Sequence, residues 1–204
     1  MATLHPTAHK LVRATSELLE KHEPNSISVQ QVIETSGVSS GSLYHHFHSL
    51  GNLVNHALAD QFREYGDSIV KFTTRILHTP PGPNEALGLH SVSGKTAARI
   101  GTLRKRATRV IAYSIQDRAL EELLRPIQDR ITQSIAGVFE ELKRRGYLQP
   151  QVDPLVAAVF IQAYVLGRIV DDLAITQINN DDWLALISHV NRAAIFVPGL
   201  NENP

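Results

Sequence analysis

Hydrophobic residues recur along this chain with the period of a helix almost throughout. The first segment opens at Pro6-Thr7, carries Ala8, Leu11, Val12, Thr15, Leu18 and Leu19 on one side, and closes at Glu23-Pro24-Asn25. Ser28 stands where an N-cap is needed for a short helix through Val29, Val32 and Ile33, which stops at Gly37. A second short helix follows Ser39 and carries Leu43, Tyr44 and Phe47. Ser49 then caps a long helix whose stripe is Leu58, Phe62, Tyr65, Ile69, Phe72 and Ile76, at spacings of four and three.

The segment from His78 to Asn84 holds three prolines and a glycine and predicts a loop. Residues 85 to 125 are interrupted by Gly88, Gly94 and Gly101 and predict two helices. Pro126 predicts a helix start or a kink, followed by the stripe Ile127, Ile131, Ile135, Val138 and Leu142, which ends at Gly146. Asp153-Pro154 opens a further helix, and Asp181 or Asp182 the last, through Trp183, Leu184, Ile187 and Val190 to Val197-Pro198-Gly199. No window alternates convincingly enough to predict a strand, so the expected fold class is all-α.

Composition narrows the classes. In 204 residues, 43% are hydrophobic, enough for a packed core. The 20 Lys and Arg balance 20 Asp and Glu, so there is no global attraction to nucleic acid or to an anionic membrane. The absence of Cys removes disulfides, thiolate catalysis and Cys-ligated metals. No apolar leader opens the chain, and no run of about 18 apolar residues predicts a membrane span. The expectation is a cytoplasmic protein, with no membrane partner, no cofactor and no metal site; His5 and His9, four apart, lack the acidic or Cys company that a metal pair needs.

Residues 28 to 47 fit a helix-turn-helix. Two short helices crossing steeply need a turn residue free of a Cβ clash, and Gly37 supplies it. Val29, Val32, Ile33, Val38, Leu43 and Phe47 would hold the pair together, leaving Ser39, Ser40, Ser42 and Tyr44 outward. Short hydroxyls and free N–H groups at a helix N-terminus suit phosphate oxygens and close approach to a groove.

The run Ser36-Gly37-Val38-Ser39-Ser40-Gly41-Ser42-Leu43-Tyr44-His45-His46-Phe47, with Ser28-Val29 and Val32-Ile33 ahead of it, closely resembles the DNA-binding signature of TetR-family regulators. The resemblance covers roughly the first 60 residues and is architectural beyond them. It implies a helix-turn-helix domain over residues 1–49 and a helical effector-binding and dimerisation domain over 50–204. It further implies a non-enzymatic DNA-binding regulator, most often a repressor, that leaves a double-stranded operator when a small-molecule effector binds. By the same resemblance Ser40 and His45 face bases, Ser42, Tyr44 and His46 face the phosphate backbone, and Ser28 and Gln30 join them from the preceding helix. Ser39 and His48 complete the candidate DNA-binding set.

One departure stands out. Members of the family usually carry a phosphate-binding lysine where this chain has Leu50, and neither Lys nor Arg occurs between Lys21 and Arg63. DNA affinity rests largely on phosphate neutralisation. A TetR-like dimer with weakened or lost DNA binding, acting as a ligand-binding or protein-partner module, is therefore the alternative. Histidines at 5, 9, 22, 45, 46, 48 and 56 could compensate, since an adjacent anion favours the charged imidazole. Operator affinity would then rise as pH falls.

Residues 154–174 are apolar nearly all round, and a helix of that kind must be covered on several sides. The resemblance implies a homodimer through helices at about 154–174 and 182–197, setting the recognition helices roughly 34–36 Å apart. It also implies an effector pocket, for which the candidate lining residues are Phe62, Tyr65, Ile69, Phe72, Tyr113, Gln116, Phe139, Tyr164 and Arg168. Their aromatic, sparsely charged character favours an apolar or amphipathic effector, with Arg109 or Arg168 for an anionic end. Two enzyme-like strings carry less. Gly37-Val38-Ser39-Ser40-Gly41 fits a nucleophile elbow only if a strand precedes it, and Gly88 to Thr96 has one residue too many for a phosphate loop.

Overall fold

The computed structural model of the protein describes residues 5–78 and 94–199. They form α1 (Pro6–Leu19), a 3₁₀ turn (Pro24–Ser26), α2 (Val29–Ser36), α3 (Ser40–Phe47), α4 (Leu50–His78), α5 (Gly94–Ser114), α6 (Arg118–Arg144), α7 (Pro154–Gly167), α8 (Ile169–Asp172) and α9 (Asn180–Ala194). Among the described residues the sole β-type pairing is an isolated bridge between Leu148 and Phe196. The fold is all-α, as the hydrophobic pattern predicts. The expected break at 79–84 and most of the segment 88–96 lie outside the described residues.

Local chemistry sets the helix ends. Ser28 and Gln31 form a reciprocal capping box at the start of α2. The Asp153 carboxylate accepts the Leu155 and Val156 N–H groups at 2.8 and 3.0 Å, with Pro154 in the first turn of α7. At the end of α6, Gly146 adopts φ +79°. Its N–H reaches Lys143 O at 2.9 Å and the Tyr147 N–H reaches Leu142 O at 3.0 Å, the double bond pattern of a Schellman cap.

Two helix starts and one reading of an apolar stretch differ from the sequence expectation. α6 starts at Arg118, eight residues before Pro126, because Asp117 caps it: Leu120 N–H donates to Asp117 Oδ1 at 3.0 Å. Pro126 then lies inside the helix, where it removes one N–H. Pro126 and Glu122, whose carbonyl loses that donor, are both exposed, so water can take its place. α9 starts at Asn180, ahead of the expected Asp181 or Asp182, capped by Asn179. Finally, the stretch Pro154–Asp172 is long and apolar enough to cross a membrane by length and composition, where no span was expected. Its polar residues include Gln162, which is buried and donates to Thr132 Oγ1 and Ala158 O within the protein.

The chain divides into two compact units, Met1–Glu64 with Arg109–Ile127 and Tyr65–Thr108 with Gln128–Pro204. In the first, α1 packs on α2 and α3. Its buried residues include Leu11, Thr15, Leu19, Val32, Leu43, Phe47, Leu53, Phe62, Val110 and Leu120. In the second, Val138, Phe139 and Leu142 of α6 share a core with Ala157 and Ala158 of α7 and with Leu148, Ile195 and Phe196. Backbone bonds from Gln149 to Ile195 O and from Val197 to Tyr147 O fasten the segment after α9 to the link between α6 and α7.

Gly137 inside α6 and Gly146 just past its end predict opposite responses. A Cβ meets nothing within 4 Å at Gly146 or at Gly137, so only the backbone distinguishes them. Gly146→Ala is expected to destabilise by about 1 kcal/mol, because it forces a side chain into a left-handed conformation. Gly137→Ala, at a helix-interior position, is expected to stabilise by about 0.5–1 kcal/mol. Urea unfolding midpoints check both signs.

Candidate nucleic-acid interface

The geometry starts at Gly37. Its φ of +64° lets its N–H bond back to Ile33 O at 2.9 Å and turns the chain out of α2. Val38 is buried just beyond the turn, and the Ser39 hydroxyl accepts the Ser42 N–H at 3.3 Å to start α3. The Gly37–Gly41 string thus joins two helices, without the strand that a nucleophile elbow requires.

Leu43 and Phe47 are fully or almost fully buried and hold α3 down. The opposite face presents Ser40, Gly41, Tyr44 and His45, all exposed, with His48 at the end of the same face. Tyr44 leaves 49% of its surface open. Ser42 and His46 are half-buried at the flank. Of the other sequence candidates, Ser28 and Gln30 are exposed but already engaged: Ser28 in its capping box, and Gln30 Nε2 on Glu34 Oε1 at 2.7 Å. The Ser39 hydroxyl serves the helix cap and lies 3.1 Å from that of Ser42.

α3 ends at His48, whose φ of +62° is left-handed, and its N–H closes onto Tyr44 O at 2.9 Å. Asn52 from α4 donates to Phe47 O at 2.9 Å and so satisfies one of the last carbonyls. This support carried no sequence signal, because an Asn five residues on has no fixed meaning until the chain turns back.

The structure also brings together histidines that are distant in sequence. His5 caps α1 through Nδ1, which accepts the Thr7 N–H at 3.3 Å, and its ring stacks on His46 at 5.3 Å between centroids. His45 meets His46 edge-on at 5.1 Å, and His56 meets Phe47 at 5.3 Å. Partial burial, and then the neighbouring His45 and His5, push His46 below the ordinary imidazole value. Burial, and then Arg63, do the same for His56.

The candidate effector residues fall in both units. Phe62, Tyr113 and Gln116 belong to the first; Tyr65, Ile69, Phe72, Phe139, Tyr164 and Arg168 to the second. Phe62, Tyr65 and Phe139 are buried, Ile69, Tyr113, Tyr164 and Arg168 are half-buried, and Phe72 and Gln116 are exposed. Tyr113 donates to Glu23, which raises its phenol above the usual range. Arg109 donates to Leu19 O at 3.3 Å. Tyr164 packs edge-on against Phe160, and the Arg168 guanidinium lies 5.6 Å from the centre of the Trp183 ring.

The lowered imidazole values of His46 and His56 carry a sign. The unfolded chain takes up protons first, so the stabilisation is complete above the ordinary value near 6.5 and is lost as pH falls through the lowered ones. Thermal midpoints measured from about pH 7.5 down to about pH 5 are expected to fall. They are expected to fall less in the His46→Gln, His56→Gln double variant.

Residues 11–57 match the family described as bacterial regulatory proteins, tetR family. No curated protein sequence matches the chain. In fold it is similar to a Mesorhizobium loti protein assigned to the TetR-family transcriptional regulators, with TM-score 0.71 and 16% identity over 94% of this chain and 97% of that one. It is similar to the reduced form of Escherichia coli NemR, with TM-score 0.63 and 14% identity over 94% and 98%. It is also similar to a Saccharomonospora viridis protein, assigned as a transcriptional regulator and solved in complex with choline, with TM-score 0.65 and 18% identity over 93% and 97%. Residues 11–57 thus match the tetR-family N-terminal domain, and the fold of the chain is similar to that of solved TetR-family regulators.

Proposed function

We propose that the protein is a DNA-binding transcriptional regulator of the repressor type, released from its operator by a small-molecule effector and acting as a homodimer. The observation that carries this reading is the exposed face of α3. Ser40, Tyr44 and His45 stand open on a short helix whose other side is buried, the arrangement by which a recognition helix enters a major groove. In this reading residues 1–49 contact DNA and residues 50–204 bind the effector and the second subunit.

Support for the dimer comes from α7. Leu155, Val156, Val159, Phe160, Ala163 and Gly167 are all exposed, and their spacing draws one continuous stripe along the helix. Leu186 is exposed on α9 and Val170 on α8. A second copy is the occupant that two-fold symmetry supplies, and the small residues Ala163 and Gly167 let two helices approach closely. The choline complex of one structural neighbour supports small-molecule binding by this architecture.

The lack of Lys and Arg between positions 21 and 63 favours the second reading, a dimeric sensor with weakened DNA binding. An electrophoretic shift with DNA from upstream of the protein's own gene separates the two. A salt-sensitive shift lost in Tyr44→Ala is expected, and no shift at low salt would leave the second reading. Leu50→Lys is expected to raise affinity roughly fivefold and to steepen the salt dependence by about one unit of log–log slope. Sedimentation equilibrium tests the interface: the wild type is expected as a dimer, and Phe160→Glu as a folded monomer, since a buried unpaired carboxylate opposes association.

A further inference from the structure

The unit containing Tyr65–Thr108 holds a guanidinium that its own neighbours do not satisfy. Arg104 of α5 is only 7% exposed. Its Nη2 donates to Asp172 Oδ2 at 2.6 Å, but Nη1 is buried and has no hydrogen-bond partner. The other oxygen of Asp172 lies 3.4 Å from Lys105 Nζ, so one carboxylate is shared between two cations. The adjoining segment repeats the pattern. Arg168 donates through Nη2 to Asp171 at 3.0 Å and through Nη1 to Asn180 at 2.8 Å, while its Nε is buried and unpartnered.

Among the described residues three cations, Arg104, Lys105 and Arg168, share two carboxylates, Asp171 and Asp172, an excess of one positive charge in this cluster. A guanidinium cannot shed its proton, and an unmade N–H in a buried charged group is among the costlier defects a protein carries. The Arg104 charge also reaches the phenol of Tyr65, where it opposes the effect of burial. Tyr65 is the buried end of the apolar line Tyr65, Ile69 and Phe72 on α4, whose far end, Phe72, is 39% exposed. The same unit thus holds a buried, unpartnered cationic group and, on α4, an apolar line.

We propose that Arg104 is the anchor for an effector bearing a single carboxylate on an apolar body, with the carboxylate bonded to Nη1 and the apolar body along the Tyr65–Ile69–Phe72 line; this rests on reading the unit as the effector-binding part. A monoanion cancels the surplus charge. A dianion meets Asp171 and Asp172, and a quaternary ammonium ion meets a net positive site. Of the two arginines considered from sequence for an anionic end, Arg109 gives Nη2 to Leu19 O, and both it and Arg168 leave a buried Nε without a partner, whereas Arg104 leaves a terminal Nη1.

Calorimetric titration of the full chain with decanoate and 4-phenylbutyrate, each against its primary amide, tests the anchor. At least one carboxylate is expected to bind ten times or more tighter than its amide, and Arg104→Gln is expected to remove that preference. Asp172→Asn, which frees the guanidinium further, is expected to strengthen carboxylate binding several-fold, and it keeps the test decisive if Arg104→Gln does not fold. Equal binding of acid and amide, no binding of either acid, or weaker carboxylate binding in Asp172→Asn overturns the anchor. The operator shift of the same preparation is read separately: a shift that persists while carboxylates fail rejects the anchor alone, and its absence rejects the regulator reading.

Discussion

An eight-residue helix is not stable alone in water, and α3 is eight residues long. The burial of Leu43 and Phe47 is the constraint on which the candidate interface depends. With those two side chains inside, the helix can turn only one face outward, and that face holds Ser40, Tyr44 and His45. The caps at Ser39 and His48, the left-handed turn at Gly37 and the Asn52 bond to Phe47 O keep the segment from fraying. The scaffold is rigid where the exposed groups need to be presented.

In the proposed reading, an unusual set of side chains lies opposite phosphates. Where lysines would supply fixed charge, the chain offers imidazoles, and three of them, His5, His46 and His45, lie side by side. Burial first, and then the neighbouring imidazoles of His45 and His5, oppose protonation of His46 in the unbound protein. A phosphate beside them would act the other way. In this scheme the positive charge arrives with the DNA, and the cost is that the first 60 residues carry five acidic against three basic side chains when free.

The second unit shows two kinds of incompleteness. The α7 stripe is apolar surface left uncovered, with Val156 and Val159 more than half exposed. Arg104 and Arg168 are the converse, charged groups taken inside without a full set of acceptors. Apolar surface in water favours a second copy or another broad partner; a buried unmade N–H favours a small polar group that fits between side chains. The two features call for different partners, and the unit has room in its chemistry for both.

The sequence by itself determined what depends on neighbours along the chain. Periodicity marked the helices, and Ser28, Gly37, Ser39, Ser49 and Asp153 announced helix ends, because a cap bonds within three residues of itself. The string from Ser36 to Phe47 marked the candidate interface for the same reason. The tertiary structure decided what depends on residues far apart. It started α6 before Pro126, stacked His5 on His46, gave Tyr113 to Glu23 and Arg109 to Leu19, and left Arg104 half-neutralised beside Asp172, 68 positions away. Pairings of that kind follow from how the helices pack, and no local pattern encodes them.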